Sequence, residues 1–76
     1  MKELIEYIAR LLVDSPDRVR VDETQKDDIT VFQLRVAKED LGKVIGKNGR
    51  TARSIRSLLS VLSAKEGRKA VLEIVE

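Results

Sequence analysis

Two glycines with two residues between them, Gly46 and Gly49, interrupt a stretch whose apolar residues otherwise recur at helical spacing. That interruption predicts two helices joined by a tight loop across residues 41–65. The same 25 residues carry six Lys or Arg and no Asp or Glu, whereas the rest of the chain carries nine basic residues against thirteen acidic ones. The net charge of +2 therefore conceals a positive segment on an otherwise acidic molecule. A glycine pair wrapped in cations, with a helix N-terminus beside it, is what a loop needs to press its backbone against phosphates.

The remaining residues constrain what these helices pack on. Leu4, Ile5, Ile8, Leu11 and Leu12 fall on one stripe and predict an amphipathic helix over residues 2–13, closed by Pro16. Its polar positions mix Lys2 and Arg10 with Glu3 and Glu6, which suits a helix lying on a sheet better than one lying on a membrane. The period then changes to two. Val19 and Val21 alternate with Arg18, Arg20 and Asp22, and Phe32, Leu34 and Val36 alternate with Gln33 and Arg35, giving two strands, the second over residues 29–37. The polar stretch 25–28 is short enough for a hairpin, so the pair is antiparallel, and the adjacent Asp27 and Asp28 read as a solvated turn. Glu39 and Asp40 place negative charge at the start of a short helix ending near residue 45. A longer helix runs to about residue 64, with Ala52, Ile55, Leu59 and Leu62 toward the core, Arg50, Arg53 and Arg56 fanned opposite, and Gly67 as its stop. A third strand has Ala70, Leu72 and Ile74 on one side and Lys69, Val71, Glu73 and Val75 on the other. A crossover through two helices returns this strand parallel to the second. The fold class is α+β, in the order α-β-β-α-α-β: a three-stranded mixed sheet with helices packed on one face. At 76 residues, with no linker or repeat, the chain reads as one domain over 1–76.

Composition narrows the chemistry. The chain has no Cys, His or Trp, so disulfides, thiolate or imidazole metal sites and Ser/His or Cys/His catalysis are all excluded. No pair among its carboxylates, lysines and Tyr7 is marked out by spacing, so the expectation is a non-enzyme with no metal and no cofactor. No apolar run approaches the roughly 18 residues of a membrane span, and the chain reads as soluble and cytoplasmic. Gly42 to Asn48 superficially echoes a nucleotide phosphate loop. The match fails because only three residues separate the glycines and Asn48 stands where Ser or Thr would hold magnesium. The dinucleotide fingerprint fails too, for want of a third glycine and a leading strand. A helix-turn-helix on duplex DNA would need this particular glycine pair in its turn, which makes it a weaker reading.

The run Val44, Ile45, Gly46, Lys47, Asn48, Gly49, Arg50 resembles the core signature of KH domains, in which a Gly-x-x-Gly loop joins two helices and clamps a single-stranded nucleic-acid backbone. The element order is similar to the bacterial type II arrangement. Length and the stretch from Gly42 to Leu59 resemble the small stand-alone bacterial KH proteins of the KhpA family. One position departs from the broad pattern: Ala52 stands where many KH domains carry a bulky aliphatic residue.

The resemblance implies an RNA-binding protein, a post-transcriptional regulator or RNA chaperone. Its ligand would lie in a groove between the glycine loop and the neighbouring sheet edge. It assigns loop contacts to Gly46, Lys47, Asn48, Gly49 and Arg50, places Val44 and Ile45 at or beneath the groove floor, and lets Lys43 and Arg53 extend the positive field. It also implies a homodimer, or a heterodimer with a larger multi-domain KH RNA-binding protein. Leu58, Val61, Val71 and Val75 are the candidate contacts for such association. The alternative from a different class is a protein-interaction adaptor whose KH fold chiefly serves to dimerise with a partner.

Overall fold

Period-two alternation builds the sheet, and the helical stripes cover one side of it. The computed structural model describes residues 1–75. The chain forms α1 (Lys2–Leu12), β1 (Arg20–Lys26), β2 (Ile29–Arg35), α2 (Leu41–Ile45), α3 (Arg50–Lys65) and β3 (Lys69–Val75). Single 3-10 turns stand at Pro16–Arg18, Lys38–Asp40 and Lys47–Gly49. The strand order is β1-β2-β3, with β1 antiparallel and β3 parallel to the central β2. This is the predicted α+β class and element order.

Register decides what the helices meet. Pairing of Val21 with Leu34 and of Phe32 with Leu72 gathers four apolar side chains on one face. They pack with Ile5 and Ala9 of α1, Val44 of α2, and Ile55 and Leu59 of α3. Each large side chain in that layer contributes about 1.5–3 kcal/mol by leaving water.

Several local features differ from the sequence reading, beginning with β2, which ends at Arg35 and not at residue 37. The hairpin loop is only two residues long, because Lys26 still pairs with Ile29 and the turn is Asp27 and Asp28. Asp27 takes a left-handed φ of 56°, which Asp tolerates better than most residues. On α1 the contact centres on Ile5 and Ala9, while Leu11 is 68% exposed, because the small Ala9 side chain lets the helix approach the sheet there. That helix already ends at Leu12, and Pro16 opens a separate turn. On α3, Ser63 rather than Leu62 is the buried residue of the last turn, its hydroxyl donating to Ser60 O at 3.2 Å. The Ala52 methyl lies buried on the same stripe.

Asp40 is the largest departure from a helix-dipole role. It is 2% exposed, and its carboxylate accepts hydrogen bonds from the Asp14 and Ser15 amides at 3.3 and 3.1 Å. A buried acid needs such donors, and here they tie the segment after α1 to the base of α2. At the other end, Gly67 at φ 69° closes α3. Arg68 N donates to Ser63 O and Gly67 N to Ala64 O, which is a Schellman cap, and the chain turns directly into β3.

Candidate nucleic-acid interface

The loop between α2 and α3 begins at Gly46, whose amide donates to Gly42 O at 2.9 Å and ends α2. Its φ of 78° and ψ of 170° lie in a region open essentially only to glycine. A Cβ at this position would also fall 2.2 Å from Thr51 Oγ1 and 2.8 Å from Thr51 N. Gly46 is therefore required twice, by its own backbone and by the first turn of α3 pressing on it.

One tight turn follows. Gly49 N donates to Gly46 O at 3.0 Å, and Arg50 N donates to Lys47 O. Asn48 and Gly49 are both left-handed, at φ 58° and 74°. A Cβ on Gly49 would meet nothing within 4 Å, so backbone conformation alone selects glycine there. The missing side chain leaves open space at the N-terminus of α3, where the first-turn amides and the helix dipole favour an anion.

Lys47, Asn48 and Arg50 are exposed on this corner. Among the described residues no carboxylate forms an ion pair with Lys47, Arg50 or Arg53. Arg53 Nη2 instead donates to Asn48 O at 2.8 Å. The structure thus brings Gly46, Lys47, Asn48, Gly49, Arg50 and Arg53 into one continuous patch, with the half-open side chain of Ile45, 39% exposed, at its edge.

Two candidates lie elsewhere. Val44 is fully buried among Ile55, Leu59 and the sheet residues, so it supports the loop from beneath and presents no surface to a ligand. Lys43 turns away from the loop: its Nζ lies 3.1 Å from Asp14 Oδ2 and 3.9 Å from Asp40 Oδ1. The hydrogen bond and charge of Asp14 raise its pKa above the ordinary lysine value, burial opposes this, and the Asp40 charge adds to the rise. No local pattern signals this pairing, because Asp14 is far away in sequence. Thr51 was not anticipated either; its signal is only its place two residues after the second glycine.

The third arginine of α3 reaches the sheet, with Arg56 Nε donating to Leu72 O of β3 at 3.3 Å. The corner offers a helix N-terminus and exposed cations, an arrangement whose chemistry suits an anion. Among the described residues no group of His, Cys, Asp and Glu could hold a metal ion, and no helix is long and apolar enough to cross a membrane.

A family model described as "KhpA/KhpB, KH domain" matches residues 2–74. The chain is 47% identical over 75 residues to the RNA-binding protein KhpA of Clostridium perfringens, covering 99% of this chain and 100% of that protein. It is 49% identical over 75 residues to the KhpA of Treponema pallidum, covering 99% and 94%. Against the KhpA of Aquifex aeolicus the identity is 46% over 76 residues, covering 100% and 96%. No solved structure matches the chain.

Proposed function

The chain belongs to the KhpA/KhpB family of KH domains, and from that membership we propose that it binds single-stranded RNA through the loop at residues 46–49. The observation that carries the reading is the corner itself: a glycine turn at the N-terminus of a 16-residue helix, with Lys47 and Arg50 free of acidic partners among the described residues. Amides of the loop and first turn that the turn bonds leave unpaired meet the phosphates, Lys47, Asn48 and Arg50 supplement them, and Ile45 offers an apolar surface to a base. Val44 and Lys43 serve the site from outside it, one as packing and one as an anchor of α2.

Phe32 is buried and Tyr7 stands on α1, so neither supplies a stacking platform beside the loop. Recognition then rests on phosphate charge, with clear salt dependence and modest sequence selectivity. A single module of this kind binds weakly, which favours two linked copies, either a homodimer or a heterodimer with a larger multi-domain KH RNA-binding protein. In this reading the chain is one non-enzymatic domain, works in the cytoplasm and acts as a post-transcriptional regulator or RNA chaperone.

Replacing Lys47 and Asn48 together by Asp tests the assignment. RNA binding, measured by fluorescence anisotropy with a short single-stranded oligonucleotide, is expected to vanish while the circular-dichroism spectrum stays that of the folded protein. Unchanged affinity would sink the assignment.

The adaptor reading has an observation of its own. Leu58 and Val61 are both exposed on α3, Val61 at 59%. RNase-resistant association with a partner that survives the double-Asp substitution favours that reading. A light-scattering mass of one chain at micromolar concentration counts against a stable homodimer.

A further inference from the structure

The peptide unit between Asn48 and Gly49 is held at both ends. Its N–H, on Gly49, donates to Gly46 O at 3.0 Å, and its C=O, on Asn48, accepts from Arg53 Nη2 at 2.8 Å. It also joins the two consecutive left-handed residues of the loop. A peptide between two such residues is the one that a turn flips most readily, since rotating ψ of the first and φ of the second reverses the amide without moving the flanking chain. A flip here would break both bonds.

We propose that Arg53 is a positioning residue for the RNA-binding loop: its guanidinium locks the Asn48–Gly49 peptide in the orientation that the site needs. The inference rests on the function proposed above, but its first readout does not. In the locked orientation the Asn48 oxygen, the negative end of the peptide dipole, is directed to a cation on α3. Reversed, that oxygen would be turned onto Gly46 O, where the Gly49 N–H now donates, and the two facing carbonyls would force open the turn that shapes the corner. Arg53 therefore adds to affinity by keeping the turn closed, a role different from that of Lys47 or Arg50. Geometry explains why arginine is used: Asn48 lies five residues before Arg53, and the long planar side chain returns along the first turn of α3 to reach it.

The proposal separates from a plain phosphate contact in the free protein. In Arg53→Gln, hydrogen exchange of the Gly49 amide without RNA is expected to speed up severalfold, with the melting temperature unchanged, because the side chain is exposed and outside the core. If release leaves the loop competent about one-tenth of the time, affinity for a single-stranded oligonucleotide falls about tenfold. The slope of log affinity against log salt stays that of the wild type, whereas loss of a direct phosphate contact lowers it by about 0.7. Arg53→Lys keeps the charge and loses the reach, so it is expected to bind more weakly than wild type. Unaltered Gly49 exchange in Arg53→Gln overturns the proposal, and so does wild-type affinity in Arg53→Lys. If the wild-type protein binds no RNA, the functional reading fails, and Gly49 exchange still decides whether Arg53 holds the peptide.

Discussion

Among the described residues, two tight turns contain a left-handed residue that is not glycine, and they are built on opposite principles. The hairpin turn places Asp27 at φ 56° between two paired strands, with acidic side chains facing solvent. The loop after α2 places Asn48 at φ 58° between two positive-φ glycines, with cations around it. The first is specified by the strands that it joins: once Lys26 pairs with Ile29, two residues must close the chain, and Asp tolerates the conformation. The second is specified by its own neighbours. Thr51 leaves no room for a Cβ on Gly46, turn bonds fix the Gly49 and Arg50 amides, and Arg53 grips the Asn48 carbonyl. The hairpin connector needs one constraint, whereas the loop between α2 and α3 carries several.

Substitutions can break this contrast. Gly46→Ala is the most damaging, combining a forbidden backbone region with a clash, and is expected to cost about 3 kcal/mol or more in urea unfolding and to abolish RNA binding. Adding Thr51→Ala should restore only part of the loss, because Thr51 N remains 2.8 Å from the new methyl group. Full recovery in the double variant would show that side-chain crowding alone selects the glycine. Gly49→Ala meets no neighbour and carries only the left-handed penalty of about 1–2 kcal/mol, with Gly49→Asn closer to wild type. In the hairpin, Asp27→Gly relieves the same kind of conformation while loosening the unfolded chain, so stability should change by less than about 1 kcal/mol. RNA affinity should not move. A loss of binding in Asp27→Gly would show that the two turns are not functionally distinct.

The smallest effect concerns Lys43, whose Nζ pairs with Asp14 and Asp40. Its folded pKa is raised by Asp14, so its contribution to stability is fully present below the unfolded value of 10.5 and is lost as pH rises through the raised folded value. The stability difference between the wild type and Lys43→Met is expected to be constant from pH 7 to about pH 9 and to shrink only in the alkaline range above 10.5. A difference that disappears between pH 7 and pH 9 would contradict this assignment.

Much of this was legible in the residues. The change of apolar period between helices and strands gave the element order, and the glycine pair inside an acid-free segment located the loop. What misled was local in origin. Leu11 and Leu12 fit the helical stripe of α1, yet the contact centres on Ala9, because a stripe records which side is apolar and not where the sheet lies nearest. Lys43 belongs to the same basic run as the loop residues but faces Asp14, whereas Val44 lies beneath the loop, one of the two placements expected of it. Arg53 and Arg56 read as parts of one cationic fan. In the folded chain each donates to a backbone carbonyl, one on the loop and one on the third strand.

The sequence by itself determined the kind of element at each position, because backbone period, glycine freedom and local charge are properties of neighbours along the chain. It also determined that residues 46–49 form a positive corner. Only the tertiary structure decided which cations remain free to meet an anion, since that depends on carbonyls and carboxylates brought near by folding. Asp14 reaches Lys43 across a long sequence separation, Leu72 receives Arg56 from another element, and the left-handed turn of Asn48 aims its oxygen at Arg53. Lys47 and Arg50 carry no ion pair because the fold brings no acid within ion-pair distance of them among the described residues.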